Sequence, residues 1–105
     1  MNTRAKGQRT FAKAMAYATL HFPTGVFLPL YQPSRFSKPQ PFDLMILEPF
    51  EPPICVEVRS NQWGVSKPQT RRLAHLPGHI RKQIWLFKNG ATTPQIRRWS
   101  HETWS

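Results

Sequence analysis

At 105 residues, with 39% apolar and 12% aromatic side chains, the chain is long enough for one small core and too apolar to be disordered. Fifteen Lys and Arg against five Asp and Glu leave a net charge of +10, which favours a polyanionic partner, nucleic acid above all. A single cysteine, Cys55, excludes an internal disulfide framework and a Cys-rich zinc site, and no apolar run approaches the ~20 residues of a membrane span.

In chain order, residues 3–22 read as a helix. Thr3 can cap it, and Phe11, Met15, Ala18 and Phe22 fall on one stripe, with Arg4, Lys6, Arg9 and Lys13 on the wet side. Arg4, Lys6 and Arg9, like Lys67 further on, are candidate nucleic-acid contacts. Pro23-Thr24-Gly25 ends it. Val26-Phe27-Leu28 is a short strand, extendable to Tyr31 past Pro29, and a proline there suggests an edge or a bulge. Residues 32–41 are punctuated by prolines and read as a surface loop, where Arg35 and Lys38 are candidate DNA contacts.

Residues 42–47 and 54–60 are two further strands. The three-proline spacer between them turns the chain into a hairpin. A second helix starts at Ser66-Lys67-Pro68, runs through Leu73 and Leu76, and stops at Pro77-Gly78. Gln83 to Phe87 is another strand, and Thr93-Pro94 caps a short last helix with Ile96 and Trp99 facing inward. The expected class is therefore α/β, one domain over 1–105, with helix, three strands, helix, strand and helix in order.

The acids carry the chemistry. Asp43, Glu48, Glu51 and Glu57 lie within fifteen positions, and only Glu102 stands apart. A protein that merely grips phosphate has no use for clustered carboxylates, whereas one that holds a divalent cation against a phosphate needs them. Asp43 and Glu57 are an even number of residues apart, so a hairpin pairing 43 with 57, or 45 with 57, puts both on one face together with Arg59. An odd register would split them. Glu57 lies between Val56 and Val58 in a strand that looks buried, where a carboxylate requires a cation or several donors. An ion pair with Arg59 or Arg71 meets that need, and so does a metal ion shared with Asp43.

Pro41-Phe42-Asp43, thirteen residues, then Glu57-Val58-Arg59 resembles the metal-binding core of the PD-(D/E)XK nucleases, in which an Asp opens one strand and Glu-X-Lys lies on the next. Gln69, ten residues beyond Arg59, and the basic opening from Arg4 to Phe11 are similar to the archaeal Holliday-junction resolvase branch. The resemblance spans roughly residues 4–90. It implies a restriction-endonuclease-like mixed sheet with flanking helices and Mg²⁺- or Mn²⁺-dependent hydrolysis of DNA, most naturally branched DNA, by a homodimer. By the same resemblance Asp43, Glu57 and the Val58 carbonyl hold the metal, Arg59 takes the lysine's electrostatic place, and Gln69 orients the attacking water or touches the phosphate. Two departures stand out. Arginine is a poor base at the lysine position, with Lys67 the nearest substitute. No acid precedes Asp43, so Gln8 stands where the family's first helix offers a glutamate.

Of the remaining signals, Trp63 just after the site is a candidate base-stacking residue or a core residue, and Trp85 a core residue. Arg71, Arg72, Arg81 and Lys82 are candidate phosphate contacts around the site, acting without sequence reading. His75 and His79 have helical metal-ligand spacing, but Pro77 and Gly78 break the helix between them. Cys55 reads as a small core residue. The chain opens with no secretory segment, so a cytoplasmic location is expected. The rival readings are a degenerate, non-catalytic member of the same fold that only binds nucleic acid, and an unrelated RNA-binding or ribosome-associated module.

Overall fold

The computed structural model describes the backbone of residues 3–30, 42–63 and 67–105, and the side chains of these apart from 3–6 and 67–70. Arg35 and Lys38, and the side chains of Arg4, Lys6, Lys67 and Gln69, lie outside the described residues.

The first helix, α1 (Thr3–His21), stops just before Phe22-Pro23, because the ring of a proline disfavours helical geometry in the residue before it. Gly25 then turns the chain tightly: a side chain there would meet the Phe22 carbonyl oxygen at 3.1 Å and the Phe27 ring at 3.2 Å. Strand β1 (Val26–Pro29) pairs antiparallel with β2 (Leu44–Leu47), and β2 with β3 (Ile54–Ser60). Helix α2 (Lys67–Ala74) lies in the crossover that brings β4 (Arg81–Phe87) back parallel to β3. The helix ends two residues earlier than Leu76, through a tightened turn in which Leu76 N–H donates to the Leu73 carbonyl.

Beyond β4 the expected third helix is absent. The chain instead forms β5 (Gln95–Ser100), antiparallel to β4, and β6 (Thr103–Trp104), giving a six-stranded mixed sheet in the order β1-β2-β3-β4-β5-β6. The reason is that β4 would otherwise leave one row of backbone donors and acceptors unpaired. Ile96 packs toward α1, whereas Trp99 lies edge-on to Trp104, whose own packing is on the other side of the sheet. Side chains three apart reach opposite faces in a strand, not in a helix. Pro29 sits on the outer strand β1, where its missing N–H does least harm.

The sheet separates two cores. On one side Leu44, Ile46, Ile54, Val56, Trp85 and Phe87 meet the fully buried Ala14 and Ala18 of α1, whose small side chains, four residues apart, let the helix approach closely. On the other side Phe42, Cys55 and Ile84 pack with Leu73 of α2 and with half-buried Trp63, Leu76, Ile80 and Trp104. No helix among the described residues is long and apolar enough to cross a membrane.

Candidate active site

The β2–β3 register pairs Leu44 with Val56 and Met45 with Cys55. The ladder ends at Leu44, and Asp43 lies in a bend just before β2. Asp43 is held by backbone contacts on both sides: its N–H donates to the Val56 carbonyl at 2.9 Å, and its own carbonyl accepts from Leu30 N–H at 2.8 Å. Its side chain then folds onto β3, where Oδ2 accepts a 2.8 Å hydrogen bond from Val58 N–H. Because the N–H and C=O of a strand residue point to the same neighbour, the Val58 carbonyl also projects toward the β2 side.

Alternation along β3 decides which side of the sheet the site faces. Ile54 and Val56 point to α1 and Cys55 points to α2, so Glu57 and Arg59 share the α2 side. Glu57 is 1% exposed and Arg59 8%, and Arg59 Nη1 donates to Glu57 Oε1 at 3.1 Å. The ion pair anticipated for Glu57 therefore forms, with Arg59. A guanidinium is the better-suited cation here, since it is more weakly hydrated than an ammonium and loses less on burial.

Hard oxygen donors are what a small divalent cation takes, and Mg²⁺ commonly uses one or two carboxylates, keeping its remaining positions for water and substrate phosphate. Asp43, Glu57 and the Val58 carbonyl fit that requirement as a donor set. No cluster of three or more His, Cys, Asp or Glu suited to a metal occurs among the described residues.

The remaining candidates scatter. Arg71 and Arg72 are exposed on α2, on the side of the carboxylates. Arg9 is exposed on α1, on the opposite side, although Thr10 in the next position ties that part of α1 to the end of β3 through a 2.6 Å contact between its Oγ1 and Ser60 Oγ. Gln69 and Lys67 fall in the first turns of α2. Trp63 is half-buried and takes part in the α2-side core, while the Arg97 guanidinium carbon lies 4.2 Å from its ring centroid. Trp85 is fully buried. His75 and His79 are both exposed, beyond the end of α2.

Arg81 does not flank the site: it is in register with Ile54, on the α1 side of the sheet, and binds Glu48 Oε1 and the Pro52 carbonyl. Lys82 is buried beside Cys55, whose thiol is pushed up to about 11 by burial, opposed by the Lys82 charge. Such a thiol is inert, as a core role requires. Behind the site, the loop after β3 is fixed by Asn61: its left-handed backbone (φ 65°) is a conformation asparagine tolerates, and its Oδ1 accepts from Asn89 N–H at 2.9 Å.

Two of these contacts have no signal in the motif. The Thr10–Ser60 bond joins residues fifty apart in sequence, and the Trp63–Arg97 stack depends on β5 being a strand. Asn89-Gly90, with Gly90 at φ 77° and Ala91 N–H on the Lys88 carbonyl, forms a turn within the longer connection from β4 to β5. Comparison with known protein families, with curated proteins and with solved structures found no match to this chain.

Proposed function

We propose that this chain is a Mg²⁺- or Mn²⁺-dependent DNA endonuclease of restriction-endonuclease-like fold, acting on branched DNA as a homodimer. The observation that carries the reading is the hydrogen bond from Val58 N–H to Asp43 Oδ2, which draws the Asp43 carboxylate against β3 beside Glu57. The chain order of α1, three antiparallel strands, α2 and a strand parallel to the third supports it, as does the net charge of +10.

Asp43, Glu57 and the Val58 carbonyl would hold the cation. Bound there, a divalent metal polarises a phosphoryl oxygen and lowers the pKa of a coordinated water. Arg59 is placed to offset charge building on the phosphate, an electrostatic role, because a guanidinium does not give up its proton. Gln69, in the first turns of the helix covering this side, would orient the attacking water. Exposed Arg71 and Arg72 supply sequence-independent attraction for the backbone.

A cleavage panel of duplex, flap, four-way junction and RNA, with and without Mg²⁺, tests the proposal. Metal-dependent cutting of the junction is expected, with loss in Asp43→Asn and in Glu57→Gln; unchanged cutting by both variants refutes the site. A second reading is favoured by the Glu57–Arg59 ion pair, which engages a carboxylate oxygen that a metal would use. In that reading the chain is a non-catalytic DNA binder of the same fold, and calorimetry shows no binding of Mn²⁺ while DNA affinity persists. The Asp43 carboxylate held on β3 at Val58, next to Glu57, weighs against an unrelated RNA-binding or ribosome-associated module, which has no need of it.

A further inference from the structure

Arg97 stands in the same transverse row as Glu57. Glu57 pairs with Ile84 across β3 and β4, and Ile84 pairs with Arg97 across β4 and β5. Residues in register share a face, so the row from Glu57 through Ile84 to Arg97 crosses the α2 side of the sheet. At ~4.8 Å per strand, Arg97 lies about 10 Å from Glu57, measured between backbones. That distance is about three nucleotides of stacked strand at ~3.4 Å axial rise.

The side chain of Arg97 is exposed, and its guanidinium is laid over the Trp63 indole, 4.2 Å from carbon to ring centroid. Stacking occupies the flat face of the guanidinium and leaves the N–H donors on its edge pointing outward. A preorganised planar fork of this kind matches two oxygens of a phosphate. Trp63 itself is anchored in the α2-side core and follows directly on the site strand. The ring therefore fixes the cation at a set distance from Glu57.

We propose that Arg97, held by Trp63, clamps a DNA backbone phosphate flanking the Asp43–Glu57 site on its β5 side, with Trp63 as a positioning residue. The inference rests on the DNA-nuclease reading for its ligand, but its test needs no cleavage. Fluorescence anisotropy of a labelled four-way junction, in chelator and across about 50–200 mM salt, measures affinity and the number of phosphate contacts together. Arg97→Gln is expected to weaken binding about tenfold and to reduce the salt slope by about one. Arg98→Gln removes the same charge from the neighbouring position, which faces α1, and is expected to change affinity less than twofold.

Trp63→Leu keeps the apolar anchor and removes the stack. It is expected to lose part of what Arg97→Gln loses, and the double variant to be no worse than Arg97→Gln alone, the sign of coupled residues. An Arg97→Gln variant that behaves like Arg98→Gln, a double variant whose losses add, or a wild-type chain that does not bind the junction overturns the clamp. If the wild type binds with the expected Arg97 effect but cuts nothing in Mg²⁺, the nuclease reading fails and the clamp stands. If it cuts and Arg97→Gln changes neither affinity nor slope, the clamp alone fails.

Discussion

The two sides of the sheet are built from the same strands and differ in kind. Toward α1, Trp85 is packed by Tyr17 and Phe22, with ring centroids 5.1 and 6.4 Å away, and its Nε1 donates to Gln83 Oε1 at 2.8 Å. That side is closed by Ala14 and Ala18 and, among the described residues, carries no buried charge. Toward α2, the same β3 and β4 bury Glu57, Arg59 and Lys82 among apolar neighbours. Hydrophobic residues would fold as well there, and an apolar replacement of a buried ion pair is often neutral or stabilising. The α1 side is an apolar core closed by small residues, whereas the α2 side combines an apolar core with three buried charges.

The contrast breaks first at Trp85. Trp85→Ala removes the centre of the α1-side core and is expected to lower stability by about 3–5 kcal/mol, measured by urea unfolding. A change under about 1 kcal/mol would mean that this side is not the structural one. Arg59→Ala leaves a buried carboxylate without its cation and is expected to destabilise by about 3–5 kcal/mol. Replacing both partners, Glu57→Leu with Arg59→Met, sharpens the comparison. The double variant is expected to be at least as stable as the wild type, within about 1 kcal/mol, and inactive on the junction. Retained metal-dependent cutting would show that the pair is structural only.

Smaller effects come from the edges of the site. Thr10→Val removes the hydroxyl contact with Ser60 and is expected to cost about 1 kcal/mol, read from the same unfolding curves. An unchanged midpoint would mean that the contact does not fasten α1 to β3. Cys55 is the mildest probe. Burial raises its thiol from 9.0 to about 11, so the folded chain favours the protonated form. Its contribution to stability is complete below pH 9 and is lost as pH rises toward about 11. Alkylation at pH 8 should accordingly be slow in the native protein and rapid in urea; equal rates would place the thiol outside the core.

Much of the fold is legible in the sequence because its signals are local. Apolar spacing along α1, the proline-rich bend before Ile54 and the run from Gln83 to Phe87 each specify an element without tertiary help. The even separation of Asp43 and Glu57 points to two same-face registers, but β2 begins only at Leu44, and what brings Asp43 to β3 is a side-chain bond from Val58 N–H that strand alternation does not announce. The C-terminal segment is illegible for a physical reason. Ile96 and Trp99 fit a helical spacing equally well, and what decides is the open edge of β4, a demand that arises only once the sheet exists. Arg81 misleads in a similar way, since the parallel register of β4 sets it against Ile54, on the α1 side of the sheet. Arg97 is invisible as a neighbour of Trp63 until β5 is a strand.

Paramagnetic broadening tests the shared-ion claim most directly. In isotope-labelled protein, substoichiometric Mn²⁺ is expected to broaden the backbone amide signals of Asp43 and Val58 ahead of all others, and to leave them sharp in Asp43→Asn. Amides at these two positions that stay sharp in the wild type, while signals near Glu51 or Glu102 broaden first, would contradict a cation held between β2 and β3.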